Sequence, residues 1–222
     1  MITAIFYTDN KFKSRAGELM DNLYDIGFDK VISYTREWLE TTDFYLENRE
    51  ILDMPRGGGY WLWKPFIILE TMKSIEDGDI VFYMDAGDSI RTPKILDAIN
   101  NYMTSKDYMI SGSMLRPRND HYTKRDCFIL MGCDRAEYRE GKQVEAGTLV
   151  FRKTEEMQAF LREWQGYCQS KYILTDISRS RNYNNFVAHR HDQSILSILV
   201  VHYKMEFSDV LYSHIIRNCF KP

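Results

Sequence analysis

The chain has 222 residues, 44% of them hydrophobic, and a formal net charge of −3 at neutral pH. This length and composition build one globular domain with a core of ordinary size and exclude a disordered chain. The mild acidity gives no electrostatic reason to bind nucleic acid or an anionic membrane.

In chain order, ITAIFYT (2–8) reads as a first strand with a polar exit at Thr8, Asp9 and Asn10. Residues 14–26 place Ala16, Leu19, Met20, Leu23 and Ile26 on one helical face, and 28–34 reads as a second strand. LENREILDM (46–54) reads as helix, as does 64–75, which carries Pro65 near its first turn, where the missing N–H costs least. DIVFYMD (79–85) is apolar enough for a strand buried on both faces. A helix over 92–105 and a strand over 108–114 follow, then a charged region, 113–135, too polar to be core throughout. EAGTLVFRK (145–153) reads as a strand, 154–169 as a helix capped by Thr154, and 194–205 as an apolar element that starts as helix. Strands alternating with helices predict an α/β fold, an α/β/α sandwich on a mainly parallel sheet, in which ligands sit outside the carboxyl ends of the strands.

The N-terminal sequence lacks a basic segment followed by a long apolar run, and no stretch approaches the ~20 apolar residues of a membrane helix. A soluble, cytoplasmic protein without membrane insertion is expected. Cys127, Cys133, Cys168 and Cys219 form no CxxC pair and read as reduced buried thiols.

Four stretches carry chemistry. Asp85 and Asp88 close the central strand; they suit a hard divalent cation, or Asp85 caps a following helix. RGGGYWLWKP (56–65) lets backbone approach a ligand closely at Gly58 and sets Lys64 at a helix start, a fair anion site without the spacing of a Walker loop. AHRHDQSIL (188–196) offers histidines, Asp192 and Gln193 before an apolar helix; Asp192 is a base or the helix N-cap, and the HExxH spacing of zinc hydrolases is absent. YTKRDCF (122–128) holds Lys124, Arg125 and Asp126, either site residues or a solvated charge run. No GxGxxG follows the first strand, which argues against a dinucleotide oxidoreductase.

GGGYWLWKP, DIVFYMDAG, YTKRDCF, AGTLVFRK and HRHDQSIL, in this order, resemble nucleotide-sugar glycosyltransferases of the GT-A fold, most of all the small enzymes encoded by chlorella (large algal DNA) viruses and by some bacteria. The resemblance spans roughly residues 2–216 of one domain, with 1–110 as the nucleotide-binding half and 111–222 as the sugar- and acceptor-binding half. It implies transfer of a hexose-type sugar from a UDP-sugar, before a GDP-sugar, to a glycan or glycoprotein acceptor, in the host cytoplasm if viral. It implies Mn²⁺ or Mg²⁺ beneath the diphosphate, held by a strand-end DxD. Here the pattern departs: with Asp85 as first acid the third position is Gly87, and Asp88 comes one residue late. The implied ligands are Asp85, Asp88 and a C-terminal histidine, His214, with Ala86 and Lys64 beside the diphosphate. Thr8, Asp9, Tyr34 and Arg36 are expected around base and ribose, Tyr34 by stacking. The sugar is expected over Ala146 and Gly147, with Arg125, Asp126 and Gln193 as contacts and Asp192 as the acid facing the anomeric carbon. Asp192 or Asp126 could serve as base in an inverting reaction; retention needs none, and the resemblance tilts to retention. A metal-dependent nucleotide-sugar hydrolase and a non-catalytic nucleotide- or carbohydrate-binding module are the alternatives.

Overall fold

A computed structural model describes residues 1–9, 12–110 and 117–217. β1 (Ile2–Thr8) is buried at every position, as a central parallel strand is. A 3-10 turn leads into α1 (Ala16–Ile26), which ends on Gly27 at φ 108°. β2 (Lys30–Thr35), α2 (Arg36–Leu39), α3 (Asp43–Leu52), the short turn α4 (Gly57–Tyr60) and α5 (Trp63–Lys73) come next. β3 (Ile80–Met84) is again fully buried and is followed by the two-residue β4 (Ser89–Ile90), α6 (Ile95–Met103) and β5 (Tyr108–Ile110). The short helices α7 (Asn119–Tyr122), α8 (Arg125–Leu130) and α9 (Ala136–Glu140) precede β6 (Thr148–Arg152). α10 (Glu155–Cys168) is capped by Thr154, whose hydroxyl accepts from Met157 N at 3.1 Å. α11 (Lys171–Leu174), a long irregular segment, α12 (Asp192–His202) and β7 (Ile215–Ile216) complete the described chain.

The main sheet has the order β2-β1-β3-β6-β5. β1 is parallel to β2 and β3, and β6 runs antiparallel to both β3 and β5, so β6 alone reverses the common direction. Alternation along the strands makes two cores. Ala4, Phe6, Phe82, Met84 and Val150 face α1 and α6 through Leu19, Leu23, Ile95 and Ile99. Ile5, Val81, Tyr83, Leu149 and Phe151 face the layer containing α3, α5, α10 and α12. This is the α/β/α sandwich on a mainly parallel sheet that the sequence predicts.

Differences are local. The second strand starts at Lys30 because Phe28 and Asp29 make the turn out of α1, through bonds to Leu23 O and Ile2 O. The expected strand over 108–114 is observed as Tyr108–Ile110, and positions 111–114 lie outside the described residues. Asp85 caps no helix, since β4 intervenes and α6 begins only at Ile95. The charged region 113–135 is not core throughout, as expected; among its described residues Cys127 and Phe128 join the core, and Lys124 is buried with its ammonium aimed at Thr175 O (2.5 Å) and Ile177 O (2.6 Å). Cys127, Cys133 and Cys168 are free and buried; Cys219 lies outside the described residues. No described helix is long and apolar enough to cross a membrane.

Candidate functional site

The carboxyl ends of β1 and β3 and the amino end of antiparallel β6 meet at one edge of the sheet, so Asp9, Asp85 and Gly147 arrive together. The glycine run reaches the same edge by an unusual backbone. Gly57, Gly58, Gly59, Tyr60 and Trp61 all have positive φ (57°, 58°, 100°, 55° and 59°), a left-handed turn that costs each L residue in it ~1–2 kcal/mol. Glycine is required twice: a Cβ on Gly57 would sit 2.5 Å from the Trp61 ring, and one on Gly59 2.6 Å from Leu52 Cα. The turn is fixed by the Trp63 indole, which donates to Gly57 O (3.0 Å) and stacks on Tyr7 with centroids 4.0 Å apart. Lys64 follows within the first turn of α5.

Lys64 is the centre of the arrangement. Its side chain is 3% exposed, and Nζ lies 2.9 Å from Asp192 Oδ2, 3.0 Å from Ala146 O and 3.6 Å from Asp85 Oδ1. Burial works against its charge, but Asp192 and Asp85 outweigh it and hold the ammonium above the usual lysine range. Asp192 is pushed up to about 6 by burial, with Lys64 pulling the other way. The 2.9 Å contact is an ion pair without the angle of a directed hydrogen bond. Asp85 is the more open carboxylate; Tyr83, its own hydroxyl kept protonated by burial and by Asp85, donates to Oδ1 at 2.5 Å.

The start of α12 closes the far side. His191 precedes Asp192 in a strained conformation (φ 54°, ψ −119°), between Tyr60 and Trp61, whose rings lie 4.8 and 5.6 Å away. Its Nδ1 faces Leu174 O at 2.9 Å, and burial lowers its pKa to about 4. His189 is likewise neutral: burial lowers its pKa strongly, and its nitrogens engage Lys124 N and Ile173 O. Gln193 accepts from Ala146 N (3.4 Å) and donates to Gln143 (3.0 Å), which ties α12 to the segment before β6. Between these walls lies a cavity of about 460 Å³, lined among others by Arg56, Trp61, Lys64, Asp85, Glu145, Gly147, Arg190 and Gln193.

No family model matches the chain, and no curated protein matches it. Solved glycosyltransferases resemble its backbone. The apo form of mouse xyloside xylosyltransferase 1 has 12% identity over 93% of this chain and 71% of that one, with a TM-score of 0.49. A glycosyltransferase involved in glycosylation of the major capsid of PBCV-1 has 11% identity over 99% and 95% of the two chains, TM-score 0.46. The galactosyltransferase LgtC, in complex with donor and acceptor sugar analogues, has 14% identity over 99% and 84%, TM-score 0.38. Likeness of this degree says nothing about which residues act.

The expected residues divide into three groups. Lys64, Asp85, Gly147 and Gln193 line the cavity, with Asp192 directly behind Lys64 and outside the lining. Gly58 and Asp9 come close to each other beside Tyr7 and Trp63, since a Cβ on Gly58 would lie 3.8 Å from Asp9 Oδ2. The others point elsewhere. Tyr34 is buried with its hydroxyl 2.9 Å from Thr71 Oγ1 and has no free face to stack on a base. Thr8 is buried beneath Tyr34 O, and Ala86 sits in the apolar layer with Ile90. Arg36 is spent on Glu40, Asp53, Tyr45 and Leu52 O around the end of α3. Arg125 pairs with Asp134 and lies over Tyr183, and Asp126 accepts from Ser178 Oγ, Arg179 N and Ser180 N, holding the loop after α11. Neither lines the cavity.

The expected metal set does not assemble. Among the described residues no group of three His, Cys, Asp or Glu side chains could hold a metal ion. Asp88 is engaged by Arg217 at 2.6 Å, and Asp85 Oδ1 by Tyr83. His214 contributes its carbonyl to Arg91 N, and its Nδ1 is buried without a hydrogen-bond partner. Among the described residues, the side chains at this edge do not fit a divalent ion. Sequence reasoning missed Tyr83, Glu145 and Arg217, because a strand tyrosine and two scattered charges carry no local motif.

Proposed function

We propose that the chain is a glycosyltransferase that takes a hexose-type sugar from a nucleotide diphosphate donor, UDP before GDP, and passes it to a glycan or glycoprotein acceptor. One observation carries this reading. The buried ammonium of Lys64 lines a polar cavity at the carboxyl ends of parallel strands, gripped by Asp192 and Ala146 O, with the open carboxylate of Asp85 at 3.6 Å. Breaking a sugar–phosphate bond develops negative charge on the diphosphate and positive charge at the anomeric carbon, and a fixed cation beside a fixed anion stabilises both. Lys64 faces the leaving diphosphate. Asp85, oriented by Tyr83, faces the sugar at the cavity wall beside Gly147. Asp192 acts through Lys64 as its positioning partner, and Gln193 offers the sugar an amide anchored by Gln143. The nucleoside lies toward Asp9 and Gly58. With Asp126 occupied by its loop, a retaining course in which the leaving phosphate takes the acceptor's proton suits the remaining groups.

The test is incubation with a panel of UDP- and GDP-hexoses, with and without glycan acceptors, while nucleoside diphosphate release is followed. One donor should be consumed faster when acceptor is present. Release at full rate without acceptor would make the protein a hydrolase, and binding without turnover of any donor would make it a binding module.

A further inference from the structure

The carboxylates that would bind a divalent ion already hold a cation of the chain's own. β7 pairs antiparallel with β4, Ser89 opposite Ile216, which carries Arg217 alongside Asp88. Arg217 Nη1 donates to Asp88 Oδ2 at 2.6 Å and to Thr148 Oγ1 at 2.9 Å, while Nη2 donates to Glu145 Oε2 at 2.9 Å. The guanidinium is 17% exposed, and the two carboxylates are 10% and 24% exposed. A planar fork that joins two carboxylates is a strong and geometrically demanding pair. Gly147 makes room for it, since a Cβ there would lie 2.9 Å from Nη1 and 3.2 Å from Asp85 Oδ2.

With Glu145 spent on Arg217, and Lys64 set against Asp85 and Asp192, the cavity wall keeps cationic character. Arg56 is tied to Asp176 at 2.9 Å. Arg190 forms no ion pair among the described residues; its guanidinium lies over the Tyr122 ring, 4.7 Å from the centroid, at the cavity wall. A flat guanidinium stacked on an aromatic ring keeps its N–H edges free for an oxyanion.

We propose that this site works without a divalent ion: Arg217 fills the carboxylate cluster where one would sit, and Arg190, with Lys64, takes the donor's diphosphate. The second half rests on the glycosyltransferase reading, and the first stands without it.

Two experiments separate them. Electron paramagnetic resonance of Mn²⁺ alone titrated with the wild-type protein should show the spectrum of free ion up to 1 mM protein. Arg217→Ala, which removes the guanidinium from between Asp88 and Glu145, should bind Mn²⁺ at least tenfold more tightly than wild type. Stoichiometric Mn²⁺ binding by the wild type overturns the proposal, and this arm stands even if the variant fails to fold. UDP and GDP are then titrated in EDTA and in Mn²⁺. One of them should bind with the same Kd within twofold in both, and Arg190→Gln should weaken it tenfold or more. A tenfold gain from Mn²⁺, or an unchanged Kd in Arg190→Gln, refutes the proposal. Failure of both diphosphates to bind under either condition overturns the glycosyltransferase reading and the role of Arg190 with it.

Discussion

Replacing Lys64 with methionine removes the ammonium while keeping an unbranched stem of nearly the same length, and so tests mainly its charge. Asp192 is 3% exposed and is left without its counter-ion, and Ala146 O without its donor. Breaking a buried ion pair from one side costs about 3–5 kcal/mol, because the remaining charge stays desolvated. Asp192 can escape part of that by taking up a proton. Burial already holds its pKa at about 6 against the pull of Lys64, and without Lys64 it rises further. The loss should therefore be larger at pH 8, where protonation is costly, than at pH 5. Lys64→Met with Asp192→Asn, which removes both charges, should recover at least half of it. Urea denaturation of wild type, single and double variants at both pH values measures this directly. A loss below ~1 kcal/mol at both pH values, or a double variant no more stable than Lys64→Met, would refute the coupling of the buried pair.

Other outcomes follow from the same geometry. Asp192 has a folded pKa raised to about 6 from 3.8, so its contribution to stability is greatest below pH 4 and is lost as pH rises through 6. Relative to Asp192→Asn, the wild type should lose about 3 kcal/mol over that window, and a flat difference would contradict the burial argument. Gly147→Ala crowds both Arg217 and Asp85, and should raise KM for the donor at least tenfold while circular dichroism stays native. Asp126→Ala should lower stability by about 2–3 kcal/mol through lost bonds to the loop at 178–180, with kcat within threefold of wild type. A hundredfold drop in kcat at unchanged stability would return Asp126 to the reaction. Asp85→Asn should reduce kcat at least a hundredfold with little change in UDP affinity, as steady-state kinetics beside calorimetry would show.

Much of the sheet was legible because fully buried parallel strands write themselves as largely apolar runs, as ITAIFYT and IVFYM do. The glycine run marked a special backbone and placed Lys64 at a helix start, but the sequence left open a ligand approach or a packed turn. The positive φ values and the contacts to Trp61 and Leu52 make it a packed turn that sets Lys64 at the cavity. Tyr34 and Arg36 were misplaced because the strand-exit rule fixes where a residue emerges and not which way its side chain turns. Tyr34 found Thr71 on α5, and Arg36 found the end of α3. Asp126 looked catalytic within a charged run, yet the loop it holds lies more than fifty residues on in sequence. The pairing of Asp88 with Arg217 spans 129 positions and depends on a two-residue strand, a signal that periodicity cannot register.

On the proposed reading, a nucleotide diphosphate lies against the Lys64 ammonium. Calorimetric titration of UDP and GDP, with uridine and guanosine as references, against wild type and the folded Lys64→Met, Asp192→Asn double variant tests it most directly. One diphosphate should bind the wild type at one site and weaken tenfold or more in the variant, while its nucleoside is unaffected. No diphosphate binding to the wild type, or equal losses for nucleoside and diphosphate, would contradict it.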